Sequence, residues 1–129
     1  MADREREAVS TTGAPAAIGP YAQAVRCGGW LFCSGQIALR PDGTFAGGDV
    51  RVETRQALEN LRAVLEAGGA GLERVVKTTV YLTTMDDFPA MNEVYAEFFG
   101  AAPPARATVA VAGLPRGARV EVDAVAACG

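Results

Sequence analysis

Between residues 49 and 68, Ala57, Leu58, Leu61, Val64 and Leu65 recur at helical spacing, while Glu53, Arg55, Glu59, Arg62 and Glu66 fall to the other side. That spacing predicts an amphipathic helix, begun by Asp49 as N-cap and ended by Gly68-Gly69. A second helix is predicted over residues 85–100. Asp86 or Asp87 supplies its cap, Pro89 sits in the first turn where a missing N–H is tolerated, and Gly100 stops the run. Its apolar stripe reads Phe88, Met91, Tyr95 and Phe98.

Elsewhere the period is two. "GGWLFCSGQIAL" predicts a strand from residue 28 to about residue 37, closed by the turn "RPDG". In it Trp30, Phe32, Ser34 and Gln36 share one face, and Leu31, Cys33 and Gly35 the other. Gly35, with no side chain to pack, marks a bulge or a place where something approaches the backbone. The β-branched run "RVVKTTVYLT", residues 74–83, predicts a strand covered on both faces. Two alternating strands, residues 105–113 and 118–126, flank "GLPRG"; in the last, Val120, Val122 and Ala124 oppose Glu121 and Asp123. The stretch "APAAIGPYAQAV", residues 14–25, holds two prolines and a glycine and reads as irregular surface chain carrying Tyr21. Residues 1–13 read as loosely held, apart from a short strand at residues 8–11. The order is β-β-α-β-α-β-β in a single domain, residues 1–129.

Two helices with one apolar stripe each cover one face of one sheet. The other face is not polar either, since it carries Trp30, Tyr81 and small alanines. A chain of this size buries such a face only against a partner, so a homo-oligomer is expected.

Composition narrows the function classes. Half of the 129 residues are hydrophobic and 21% are charged, as in an ordinary folded domain. The net charge of -3 and the scattered cations argue against a nucleic-acid backbone as partner. "MADREREAVSTTG" lacks the basic and apolar regions of a secretory signal, and no apolar run approaches membrane-spanning length, so a cytoplasmic protein is expected. Cys27, Cys33 and Cys128 have neither an even count nor CxxC spacing, which points to buried thiols. If residues 27–33 are extended, Cys27 and Cys33 lie about 20 Å apart, beyond disulfide reach. Histidine is absent, which removes Ser-His-Asp and Cys-His catalysis and histidine-ligated metals.

Few groups remain for chemistry. Arg106 follows Pro103-Pro104 at the start of a strand, and its guanidinium fork suits bidentate capture of a carboxylate; alternatively it reaches solvent or pairs with an internal acid. Glu121, between Val120 and Val122, is either a general base tuned by burial or a solvent-facing charge paired with Arg119. Asp123 shares its face and fits either role. Ser34 and Gly35 offer a hydroxyl and an unhindered amide to an anion, or merely mark a bulged strand end. Asn92 lies at the margin of the second helix's apolar stripe, and Tyr21 either stacks on a small molecule or covers core.

Five blocks taken together, "AIGPYAQAV", "LFCSGQIAL", "VVKTTVYLTTMDDFPAMNEVYAEFF", "PPARATVAV" and "LPRGARVEVDAVA", closely resemble the reactive intermediate deaminase family, also called the YjgF or L-PSP endoribonuclease family. The likeness runs from about Ala14 to Ala126. It implies an α+β, chorismate-mutase-like (YjgF-like) fold: a six-stranded mixed sheet with two helices on one face, assembled as a homotrimer with clefts between subunits. It also implies hydrolytic deamination of enamines and imines such as 2-aminoacrylate and 2-iminopropanoate to 2-oxo acids and ammonia, without metal or organic cofactor. On that likeness Arg106 grips the substrate carboxylate and Glu121 positions or activates water. Tyr21, Ser34, Gly35, Asn92 and Thr108 line the cleft, and Glu121 and Tyr21 need not come from one subunit. Thr108 stands where many members carry cysteine, and Asp123 where they carry a second glutamate. Two alternatives remain: a small-carboxylate-binding or chaperone-like trimer without turnover, and an endoribonuclease, against which the acidic balance and missing histidine weigh.

Overall fold

The computed structural model of the protein describes residues 5–129. Its strands are β1 (Glu7–Val9), β2 (Ala24–Cys27), β3 (Trp30–Gln36), β4 (Val75–Leu82), β5 (Ala105–Ala110) and β6 (Val120–Ala127). Helix α1 (Val50–Ala67) links β3 to β4, and α2 (Phe88–Phe99) links β4 to β5. The strands form one mixed sheet in the order β1-β2-β3-β6-β4-β5, with β4 and β5 parallel and the other pairs antiparallel. The expected α+β architecture of six strands and two helices is therefore present.

Both helices lie on one face of that sheet. Leu31, Val80, Leu82, Val120, Val122 and Ala126 point to them and are fully buried, joined by Leu58, Leu61, Val64 and Leu65 of α1 and Met91 of α2. Burying such aliphatic side chains is the main favourable term for the fold, about 1.5–3 kcal/mol each before entropy is set against it. The Asp49 carboxylate accepts the N–H groups of Arg51 (2.7 Å) and Val52 (3.1 Å), as its cap position requires.

Several expectations change. Residues 14–25 are not all irregular: Ala24–Cys27 forms β2, joined to β3 by a Gly28-Gly29 turn with both φ values positive (59° and 82°). Cys27 and Cys33 therefore sit on two antiparallel strands, opposite Trp30 and Ala24 respectively, rather than on one extended run. Cys33 and Cys128 are buried and Cys27 half-buried. Burial, with Asp123 second, pushes the Cys33 thiol up to about 12, which leaves it unreactive. The first strand is Glu7–Val9 rather than residues 8–11; residues 1–4 of that segment lie outside the described residues. Helix α2 is preceded by a 3-10 turn, Met85–Asp87, and the side-chain cap there is Thr84, whose Oγ1 accepts the Asp86 N–H; neither predicted aspartate caps α2 through its side chain. Its buried stripe is Met91, Val94, Tyr95 and Phe99, with Phe88 and Phe98 half-covered beside it.

Glu53 is the largest departure. It is 2% exposed, on the apolar side of α1 rather than the polar side. Its Oε1 accepts the Arg119 N–H at 2.8 Å, which fixes the chain just before β6. Burial holds its carboxyl above the ordinary range, partly offset by Arg119.

The second face of the sheet is bare in a single chain. Trp30 (45% exposed), Phe32 (49%) and Val109 (43%) stand on it, and Phe32 lies in one cross-strand row with Val25 and Val125. No helix among the described residues is long and apolar enough to cross a membrane.

Candidate active site

The predicted site residues gather into two groups on opposite faces of the sheet. Tyr21, Ser34, Gly35 and Glu121 line one cavity of about 360 Å³, closed on its apolar side by Ile18, Leu39 and Pro115. Asn92 and Arg106 line another, about 500 Å³, with Tyr95, Pro103 and Pro104. Thr108 lies two residues beyond Arg106 on the same face of β5. Tyr21 and Glu121 thus belong to one cavity of one chain; the division falls between that pair and Arg106.

Strand parity explains the split. Arg106 lies opposite Thr78, which is fully buried under α2 with its hydroxyl 2.7 Å from Tyr95 Oη. Glu121 lies opposite Tyr81, in a row that continues to Val109 on the bare face. Arg106 and Glu121, the two candidate groups, project from opposite sides of a shared sheet.

In the first cavity, Gly35 is needed because of Glu121. A Cβ at residue 35 would overlap the Glu121 carboxylate, so only glycine lets that side chain lie across β3. The β3–β6 register also shifts between Cys33 and Gln36, so both readings of Gly35, bulge and close approach, hold at once. Burial first, and Asp123 second, raise the Glu121 carboxyl above its ordinary value. No hydrogen bond from the described residues reaches Glu121, whereas Asp123 is engaged at both oxygens, by Thr79 N–H (3.2 Å) and Tyr81 Oη–H (3.0 Å). Of the two acids, Glu121 is the one left open to a ligand.

Ser34 is not an anion donor. Its hydroxyl donates to the Ala22 carbonyl at 2.6 Å, so toward the cavity it can only accept, as from water or an N–H. Tyr21 Oη accepts the Ile18 N–H at 3.3 Å and keeps its own proton to give.

In the second cavity Arg106 is held by rings rather than by an acid. Its guanidinium carbon is 4.7 Å from the Tyr95 ring centroid and 5.5 Å from that of Phe88, and no carboxylate among the described residues pairs with it. Cation–π contact orients the fork and consumes none of its N–H donors. Asn92 Oδ1 and Thr108 Oγ1 are buried without a hydrogen-bond partner among the described residues.

Three positioning residues were not anticipated. Gln23 Nε2 donates to Pro15 O (2.8 Å) and Thr11 O (3.1 Å) while its Oε1 accepts Thr11 N–H (2.7 Å), tying down the loop beside Tyr21. Asn60 Nδ2 donates to Leu39 O (2.7 Å) and Ile37 O (3.1 Å), holding the wall after β3. Glu53 fixes Arg119, two residues before Glu121. For Asn60 and Glu53 the available signal was a polar residue in register with Ala57, Leu61 and Val64.

The fold is thus an α+β sheet with a half-buried carboxylate in one cavity and, in another, a guanidinium that pairs with no acid among the described residues. A sequence profile of the Endoribonuclease L-PSP family matches residues 11–128, and the chain belongs to that family, also known as YjgF or RidA. It is 50% identical to the mouse 2-iminobutanoate/2-iminopropanoate deaminase over 96% of this chain and 93% of that protein. It is 49% identical to a RutC family protein of Pyrococcus horikoshii over 94% of this chain and 97% of that one. Among solved structures, Escherichia coli TdcF with bound serine superposes with a TM-score of 0.91 at 39% identity, covering 95% of this chain and 99% of that one.

Proposed function

We propose that this protein hydrolyses reactive imino acids of the 2-iminopropanoate type to 2-oxo acids and ammonia, in a site shared between two copies of the chain. The observation that carries this reading is Arg106, a half-buried guanidinium on an edge strand whose donors no acid among the described residues takes. Relatives named as 2-iminobutanoate/2-iminopropanoate deaminases at 45–50% identity support the reaction class. A homotrimer accounts for the bare face: Trp30, Phe32 and their neighbours are covered, and the Arg106 edge of one copy meets the Glu121 cavity of the next.

The chemistry asks little of the protein. Arg106 binds the carboxylate through paired N–H donors, and Asn92 Oδ1 is an acceptor for the substrate N–H beside it. A water held by Ser34 and Glu121 adds to the carbon of the protonated imine, and one of its protons passes to Glu121 as the C–O bond forms. Glu121 returns that proton to the nitrogen of the carbinolamine; the C–N bond then breaks as the hydroxyl proton passes to Glu121, so that ammonia and the 2-oxo acid leave and Glu121 gives its proton to solvent or to the ammonia. A carboxyl raised by burial suits these transfers, because its proton affinity lies closer to neutral pH. Substrate orientation and charge stabilisation supply the rest. Thr108 contacts the ligand without acting as a nucleophile, since an imine needs none.

A dehydratase acting on serine generates 2-iminopropanoate in place, and its decay can be followed with and without this protein. Faster decay is expected, with kcat/KM lowered about a hundredfold in Arg106→Ala, the loss of a charge-assisted pair worth about 3 kcal/mol. Decay equal to buffer would reject hydrolysis. Ligand binding measured alongside then decides whether the cavities hold carboxylates without turnover.

A further inference from the structure

Asp123 is not exposed for binding, yet it is held with care. Its register partner is Thr79, whose N–H reaches Oδ1 at 3.2 Å, and Tyr81 Oη–H reaches Oδ2 at 3.0 Å. Tyr81 is itself the register partner of Glu121, so the phenol that anchors Asp123 stands directly across from the catalytic carboxylate. Asp123 and Glu121 project from the same face of β6, two residues apart. We propose that Asp123, fixed by Thr79 and Tyr81, is a positioning residue that keeps a second negative charge beside Glu121 and so makes Glu121 basic enough to take the proton of the attacking water.

This inference rests on the deaminase reading and assigns a role to a residue the reaction does not itself touch. The two donors, Thr79 N–H and Tyr81 Oη–H, hold the Asp123 carboxylate in one place beside Glu121. Within one chain no cation among the described residues forms an ion pair with Asp123 or Glu121, Lys77 included, which lies on the same face two residues before Thr79. Facing Glu121 are Tyr81 from β4 and Asp123 from its own strand, with Tyr21 across the cavity, while β3 offers only Ser34, Gly35 and Gln36, which carry no charge. Arg119 is drawn away toward Glu53 at 3.9 Å, and Arg116 is exposed in the turn beyond Pro115. The raised carboxyl of Glu121, owed to burial first and Asp123 second, agrees with this geometry. The proton balance is unchanged: Glu121 accepts a proton from water, returns it to the departing nitrogen and takes up the hydroxyl proton as the C–N bond breaks, while Asp123 takes no part in the transfers.

The test compares wild type, Asp123→Asn, Asp123→Glu and Tyr81→Phe in kcat/KM against pH, with assembly checked by sedimentation. In Asp123→Asn the acid limb is expected to move to lower pH and kcat near neutrality to fall severalfold with KM nearly unchanged. Asp123→Glu keeps the wild-type limb, and Tyr81→Phe gives a smaller shift in the Asn direction. Carbon-13 titration of the Glu121 carboxyl in wild type and Asp123→Asn reads the same coupling without turnover. Superimposable titrations, or identical limbs in an assembled Asp123→Asn variant, overturn the proposal while leaving hydrolysis intact. Absence of turnover in the wild type rejects the deaminase reading instead, and the carboxyl titration still decides whether Asp123 and Glu121 are coupled.

Discussion

The two faces of the sheet are built from similar residues and do different work. Under the helices, Leu31, Val80, Val120 and Val122 are sealed by α1 and α2, and the polar side chains buried with them, such as Thr78, Asn60 and Glu53, are spent on holding other parts of the chain. On the other face, Trp30, Phe32 and Val109 remain open, and among them Tyr81 hydrogen-bonds Asp123 while Glu121 stands beside that pair without a hydrogen bond from the described residues. One face makes the fold; the other, bare in a single chain, is the one that the proposed association and hydrolysis would use. Arg106 stands apart from both: it stays on the helix side, stacked on Tyr95 and Phe88, but on the edge strand β5, where the proposed neighbouring copy would meet it.

The largest effect separating the faces is expected from the covered side. Leu61→Ala, at a fully buried position, should lower the unfolding free energy by about 2–5 kcal/mol in a urea titration, with any loss of activity following the loss of fold. On the bare side, Trp30→Ser with Phe32→Ser should instead move sedimentation toward the monomer, because aromatic anchors of an interface cost about 2 kcal/mol or more each when removed. Far-ultraviolet circular dichroism should stay unchanged. A bare-face variant that unfolded like Leu61→Ala would erase the distinction.

Gly35→Ala is expected to act on the site alone. The new methyl group displaces the Glu121 carboxylate, and kcat should fall about tenfold, equivalent to about 1.4 kcal/mol, with the melting temperature little changed. Smallest is Glu53→Gln, which sharpens the covered face. A carboxyl raised by burial favours the folded state below its unfolded pKa and loses that advantage as pH rises through the folded value. Glutamine still accepts the Arg119 N–H and has no proton to lose, so its melting temperature should equal or exceed wild type by about 2–4 °C near pH 8, the gap closing toward about pH 5. A gap that widened toward acid would reverse the sign and contradict a raised Glu53.

Both helices, β3, β4 and β6 were legible because long periodic runs signal their own type. Strand β2 was not, because four residues after a proline-rich stretch carry too little pattern, and the Gly28-Gly29 pair that marks a hairpin reads equally as a strand beginning. Gly35 announced a close approach, but the identity of the approaching group, Glu121, depends on a β3–β6 pairing between residues far apart in sequence. Parity shows which residues share a face and never which face the helices take. For that reason Arg106 and Glu121 could both be proposed as site residues without any sign that the sheet lies between them. Glu53 was misplaced because a charge was counted as solvated, when its spacing to Ala57 and Asn60 already put it inside.

The proposed division of the site between two copies makes a demand that no single variant can meet. Arg106→Ala and Glu121→Gln chains, each inactive alone, are to be unfolded together, refolded at equal amounts and assayed for 2-iminopropanoate hydrolysis. If Arg106 of one copy serves Glu121 of another, random mixing restores intact pairs in roughly a quarter of the clefts, and activity returns to about that fraction of wild type. Activity that stays at the level of the separate variants, with mixed trimers confirmed by mass spectrometry, would mean that the two halves do not work across the interface.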